Sequence, residues 1–145
     1  MAGRGFYVNF KVPEIQKTLS QISAYDGKAR IRVEEAVQKS TKAIRAGMIK
    51  RIHNVSGYLK KHTSSSFNKK DVVGLIRAKA PHAHLVEFGH KGALIKPKNN
   101  EALGTPYGPR EEVRTKGVPE HPFARPAYED EKPTLIRNLS EAVKP

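Results

Sequence analysis

The chain has 145 residues, 27 Lys/Arg against 14 Asp/Glu, a formal net charge of +13 and no cysteine. One domain spanning residues 1–145 is the expectation for this length, and the missing thiols exclude disulfides, thiolate metal sites and cysteine nucleophiles and fit a reducing compartment. No run approaches the roughly 20 apolar residues of a membrane helix, and the start MAGRGFYVNF lacks a signal-peptide core, so no membrane partner is expected.

The charge is uneven. Residues 1–70 hold 15 Lys/Arg against 4 Asp/Glu, and residues 71–145 hold 12 against 10. A basic half of this kind faces a polyanion or an acidic partner, or it is a solvated face that keeps the chain soluble.

Taken in chain order, residues 6–12 alternate Phe6, Val8, Phe10 and Val12 with polar neighbours and predict a short strand. Pro13 then suits a first helical turn. Ile15, Leu19 and Ile22 follow at helical spacing, so a short amphipathic helix is expected. Residues 26–53 give the strongest helical pattern, with Asp26 as a candidate N-cap. Val33, Val37, Ser40, Ile44 and Met48 fall on one stripe, flanked by Ala36 and Gly47. Lys28, Arg32, Lys39, Lys42 and Lys50 collect on the opposite, basic face. Ile31 and Ile49 lie off the stripe and point to a subunit contact. Asn54 or Gly57 ends the helix.

Two β runs are expected next, DVVGLIRAKA at residues 71–80 and HAHLVEF at 82–88, joined as an antiparallel hairpin around Pro81. GYLKKHTSSSF is a candidate third strand. Residues 89–126 hold six of the ten prolines and five of the eleven glycines and show no sustained period. They read as a long loop, of the length that usually has a function. Leu135, Ile136, Leu139, Ala142 and Val143 predict a last amphipathic helix, with Pro133 in its first turn or at a kink. The fold class that follows is α+β: a small antiparallel sheet against one long helix, a short N-terminal helix, a C-terminal helix and a long extended loop over 89–121.

The chemistry of catalysis is sparse. His82 and His84 would share one face of a strand, but Glu87 has the opposite parity, and no HExxH or CxxC accompanies them. They read as polar residues at a strand edge, not as metal ligands. Ser64, Ser65 and Ser66 stand beside His62 with no GxSxG elbow, and no phosphate-binding glycine loop exists. The carboxylate pairs Glu34-Glu35 and Glu129-Asp130-Glu131 read as solvated helix residues, and Glu111-Glu112 lies in the loop. Neither an enzyme nor a cofactor is expected.

Three short elements do carry information as an ordered set: Ser56-Gly57-Tyr58-Leu59 at the end of the long helix, Val86-Glu87-Phe88-Gly89 before the loop, and Pro122-Phe123-Ala124-Arg125-Pro126-Ala127 before the C-terminal helix. Together they resemble the neck or tail-completion family of long-tailed bacteriophages, the head–tail morphogenesis and minor tail components. The resemblance runs over roughly residues 13–143. The chain departs from the family pattern at Ser56 and at His90, where the family typically has Thr, and in the length of its loop.

The resemblance implies a structural virion protein with Glu87 at a strand end and Phe88-Gly89 turning into the loop. Pro122 and Pro126 would set bends around a packed Phe123, with Arg125 a partner for Glu87. It further implies a homo-oligomeric ring between the head-completion or connector proteins and the tail-terminator or tail-tube proteins. Such a ring would sit at the head–tail interface of the virion, be assembled in the host cytoplasm, and leave a channel for DNA. The basic face would then make weak, non-specific contact with packaged DNA. The alternative function is a sequence-independent nucleic-acid-binding protein that uses the basic helix; the absence of an aromatic residue on that helix counts against it.

Overall fold

The computed structural model describes residues 6–10 (backbone), 27–53, 57–99 and 102–144. The elements are β1 Phe6–Phe10, α1 Gly27–Arg51, α2 Tyr58–Lys61, β2 Thr63–Asn68, β3 Val73–Ala78, α3 Ala83–Phe88, β4 Leu94–Ile95, β5 Leu103–Thr105, β6 Gly108–Arg110, β7 Val113–Arg114 and α4 Ala124–Ala142. The fold is α+β, as the sequence predicts. The chain forms two compact units: Met1–Ala83 with Pro122–Pro145, and His84–His121.

The first unit is organised by α1. Its predicted stripe is buried in full: Val33, Val37, Ser40, Ile44 and Met48, with Ala29, Ala36 and Thr41 beside it. Each large aliphatic chain so covered stabilises by about 1.5–3 kcal/mol. One flank of the stripe takes α4. The two helices run antiparallel, because Arg51 at the end of α1 pairs with Asp130 early in α4, while Arg32 near the start of α1 donates to the carbonyl of Lys144. Small residues allow a close crossing: a Cβ on Gly47 would lie 3.3 Å from that of Ala127. Val33, Val37, Val72, Leu135 and Ala142 form a hydrophobic cluster, with Phe67 and Leu139 against it.

The other flank of α1 meets a three-stranded antiparallel sheet of order β1-β3-β2. Phe6 pairs with Ala78 and Phe10 with Gly74; on the other side Thr63 pairs with Ala78 and Asn68 with Val73. Period two sends Gly74, Ile76 and Ala78 to the helix side, where all are buried. Gly74 is the closest approach: a Cβ there would stand 1.9 Å from Thr41 Oγ1. The β2–β3 turn is tied by Asn68, whose side-chain oxygen accepts from the amides of Lys70 and Asp71. The turn ends at Val72, with φ +51, a conformation that β-branched residues rarely adopt. Val72 is nonetheless held, buried in the hydrophobic cluster.

The second unit contains little core. Its only buried residue among those described is Glu87. An isolated bridge, His90↔Val118, precedes a two-residue ladder of Leu94↔Arg114 and Ile95↔Val113. A hairpin follows, with Leu103 opposite Arg110 and Thr105 opposite Gly108.

Several expectations fail at the level of elements. Residues 82–88 are not a strand: Ala83–Phe88 is helical, so Glu87 does not end a strand, and His82 and His84 do not share a strand face. A six-residue run satisfies either period, and the burial of Ala83 and Glu87, four apart, is the helical one. The hairpin is therefore β2–β3 and excludes residues 82–88. GYLKKHTSSSF divides into α2 and β2. Residues 89–121 are not an extended loop but contain two short antiparallel ladders. The C-terminal helix begins at Ala124, eleven residues before the apolar run that announced it, and Pro133 lies inside it. The expected helix around Pro13 to Ile22, the Asp26 cap and the Asn54 stop lie outside the described residues.

Candidate assembly surface

The motif residues occupy two kinds of place. Gly57 has φ +69, a left-handed conformation that glycine adopts without strain, and it starts α2. Leu59 is buried, and its carbonyl accepts from Thr63 Oγ1 at 2.7 Å. Tyr58 stacks on His62 with ring centres 3.9 Å apart. Phe123 has no exposed surface and stands at the N-cap of α4. Arg125 and Pro126 therefore fall in the first turn of α4. Pro126 is tolerated there because the first amides of a helix have no intrahelical acceptor. It starts the helix and does not bend the chain. Pro122 is exposed.

The Val86-Glu87-Phe88-Gly89 element belongs to the second unit. Glu87 is buried, whereas Phe88 is 64% exposed. Gly89 has φ +66 and no room for a side chain: a Cβ would stand 2.7 Å from both the Val118 carbonyl oxygen and the Glu120 amide. Only glycine permits this approach. The amide of His121 donates to the Val86 carbonyl, which closes the base of the ladder.

On α1, Lys28, Arg32, Lys39, Lys42 and Lys50 are all exposed. The basic face runs along the helix, with the exposed Glu35 standing on it between Arg32 and Lys39. Ile31 is exposed and Ile49 half-buried. Arg30 and Arg45 are not part of this face. Arg30 pairs with the buried Glu34 at 3.0 Å, and Lys69 approaches the same carboxylate at 3.6 Å. Arg45 donates to the Thr63 carbonyl at 2.9 Å and so ties α1 to β2.

Two carboxylates expected in solvent are in fact structural. Glu34 carries this double pairing, and Glu131 accepts from the buried Ser40 hydroxyl at 2.8 Å. Asp130 pairs with Arg51 but is exposed, as expected of a solvated helix residue. Arg30 stands four residues before Glu34, a pairing legible in the sequence. The contacts of Asp130 and Glu131 join residues 79 and 91 positions apart and left no local signal.

Among the described residues, no group of three His, Asp or Glu side chains converges as metal ligands would, and no helix is long and apolar enough to cross a membrane. What the surface offers is a basic helix face and a near-coreless unit with many exposed apolar side chains. Residues 14–89, just over half of the chain, match the HK97-gp10-like family, described as a bacteriophage HK97-gp10 tail component. The chain belongs to the HK97-gp10-like family. It is a structural tail component of a phage virion, and other phage structural proteins are its neighbours. A structural family of this kind fits a protein without enzymatic activity. The matched segment includes α1, the strands β2 and β3 and the Glu87-Phe88-Gly89 element, whereas β1 and the Phe123 element lie outside it. No curated protein and no solved structure matches the chain.

Proposed function

We propose that this tail component acts at the head–tail joint, as a neck or tail-completion ring built from copies of itself. The ring meets the head-completion or connector proteins on one side and the tail-terminator or tail-tube proteins on the other, and it leaves an axial channel for DNA. The observation that carries this reading is the division of labour in the chain. The first unit holds the core and a mainly basic helix face, and the second carries six of the ten exposed large apolar residues among those described: Leu85, Phe88, Leu94, Ile95, Tyr107 and Val118. Apolar side chains clustered at that density mark contact with other protein.

The basic face suits the channel or an acidic neighbouring ring. Phosphate contacts carry no sequence information, so DNA can pass without being gripped at particular bases. Averaged electron-microscope images of particles carrying a labelled copy test the location: the label should appear as a ring at the head–tail joint. Label at the distal tail tip would overturn the proposal. Free protein should bind duplex DNA weakly, with a steep loss between low and physiological salt. Tight binding of one sequence at physiological salt would favour the nucleic-acid-binding alternative.

A further inference from the structure

The ladder of the second unit has two open edges. β4 and β7 pair only with each other among the described residues, and a two-stranded ribbon is marginal on its own. Within the ladder the Thr115 amide donates to the Ala93 carbonyl. Pairing alternates along an antiparallel ladder, so the backbone groups of Leu94 and Arg114 turn to the two opposite open edges. Leu94 and Ile95 are each 45% exposed.

The two edges differ in charge. The strand on the β4 side carries Lys91, Lys96 and Lys98 and no carboxylate over residues 90–98. The strand on the β7 side carries Glu111 and Glu112 ahead of Arg114 and Lys116. The second unit as a whole holds 6 Lys/Arg and 5 Asp/Glu, against 21 and 9 in the rest of the chain. The second unit is therefore close to neutral, and its edges meet little net charge repulsion from those of another copy.

We infer that the β4 edge of one copy pairs with the β7 edge of the next, so that ribbons from successive copies form a continuous antiparallel ladder. The pairing rests on the ring reading and specifies its contact. The strand order supports it: each ribbon contributes one strand in each direction, so β4 of the next copy beside β7 continues the alternation without a break. The contact uses two different edges and is heterologous, the kind that closes into rings. In the ribbon's own register Lys96 lies 3.8 Å from Glu112. The same register across the joint sets Lys96 of the next copy against Glu112, with Lys98 two positions further along, opposite Arg110. Lysines on an edge strand ordinarily keep it from pairing. Here they repel a second β4 edge and admit an acidic one, which selects the heterologous contact over a two-fold dimer.

The chain has no cysteine, so introduced thiols report contacts cleanly. Two variants, Leu94→Cys and Arg114→Cys, are produced together in infected cells, and the purified particles are oxidised. Because each chain then carries one thiol, every cross-link joins two copies. The expected product is a dimer linked from residue 94 to residue 114. Links of 94 to 94 or of 114 to 114, or no link in particles that hold several copies, would overturn the edge pairing and leave the ring intact. A single copy per particle, counted by quantitative mass spectrometry, would remove the ring itself. Charge exchange gives a second reading. Lys96→Glu, or Glu112→Lys, should leave the melting temperature unchanged, since both side chains are exposed, yet reduce joined particles by about tenfold. The two changes together should restore them. No loss from either change, or no restoration, would also overturn the inference.

Discussion

Replacement of Gly74 by alanine tests the packing of α1 on the sheet. The new Cβ would meet Thr41 Oγ1 at 1.9 Å, Thr41 Cβ at 3.0 Å and Thr41 Cγ2 at 3.1 Å. Rotating the threonine does not relieve this, because its Cβ is already tight and turning Oγ1 away would break its bond to the Val37 carbonyl. The backbone has little freedom either. β3 is the central strand, with Gly74 paired to Phe10 on one side and Phe67 on the other. Thr41 itself is buried, with its hydroxyl donating to the Val37 carbonyl at 2.7 Å. Overpacking of this kind costs about 1–3 kcal/mol. Alanine recovers about 0.5–1 kcal/mol relative to glycine in a strand, through the smaller entropy of the unfolded chain. A net destabilisation of about 1 kcal/mol follows, read as a lower midpoint in urea unfolding followed by circular dichroism, or as a fall in melting temperature of roughly 2–4 °C at this chain length. The decisive arm is the double variant with Thr41→Ala, which removes both γ-atoms. It should recover more than the two single effects predict, a favourable coupling of about 1 kcal/mol. A Gly74→Ala change below about 0.5 kcal/mol, or strict additivity with Thr41→Ala, would refute the contact between α1 and β3.

Phe123→Ala should destabilise by about 3–5 kcal/mol in the same assay, because the ring is fully buried in the first unit. Ser40→Ala should cost about 1 kcal/mol through loss of the bond to Glu131, and much less if Glu131 is already changed to Gln. Deleting most of residues 92–117 behind a short linker should leave the first unit folded by circular dichroism, since the buried apolar core lies in that unit, and particles should fail at head–tail joining. Lys39→Glu with Lys42→Glu should leave stability within about 0.5 kcal/mol and lower infectious yield; an unchanged yield would show a face that only solvates the helix.

The sequence by itself determined α1 almost completely. A stripe of Val33, Val37, Ser40, Ile44 and Met48 repeated over four turns has only one reading, and the lysines opposite it had to face solvent. Gly57 and Gly89 were likewise legible, since both stand at positive φ where other residues are strained. Tertiary structure decided what short segments could not. Residues 82–88 fit a strand and a helix equally well over so few positions, and packing chose the helix. The start of α4 was hidden because its first ten residues bury only Ala124 and Ala127, alanines too small to mark a stripe. The glycine- and proline-rich stretch concealed its ladders because a two-residue strand has no period to read. Glu34 and Glu131 looked solvated because a carboxylate's partner is chosen in space: Ser40 and Glu131 meet only after α1 and α4 have packed, and no pattern along the chain records a contact between them.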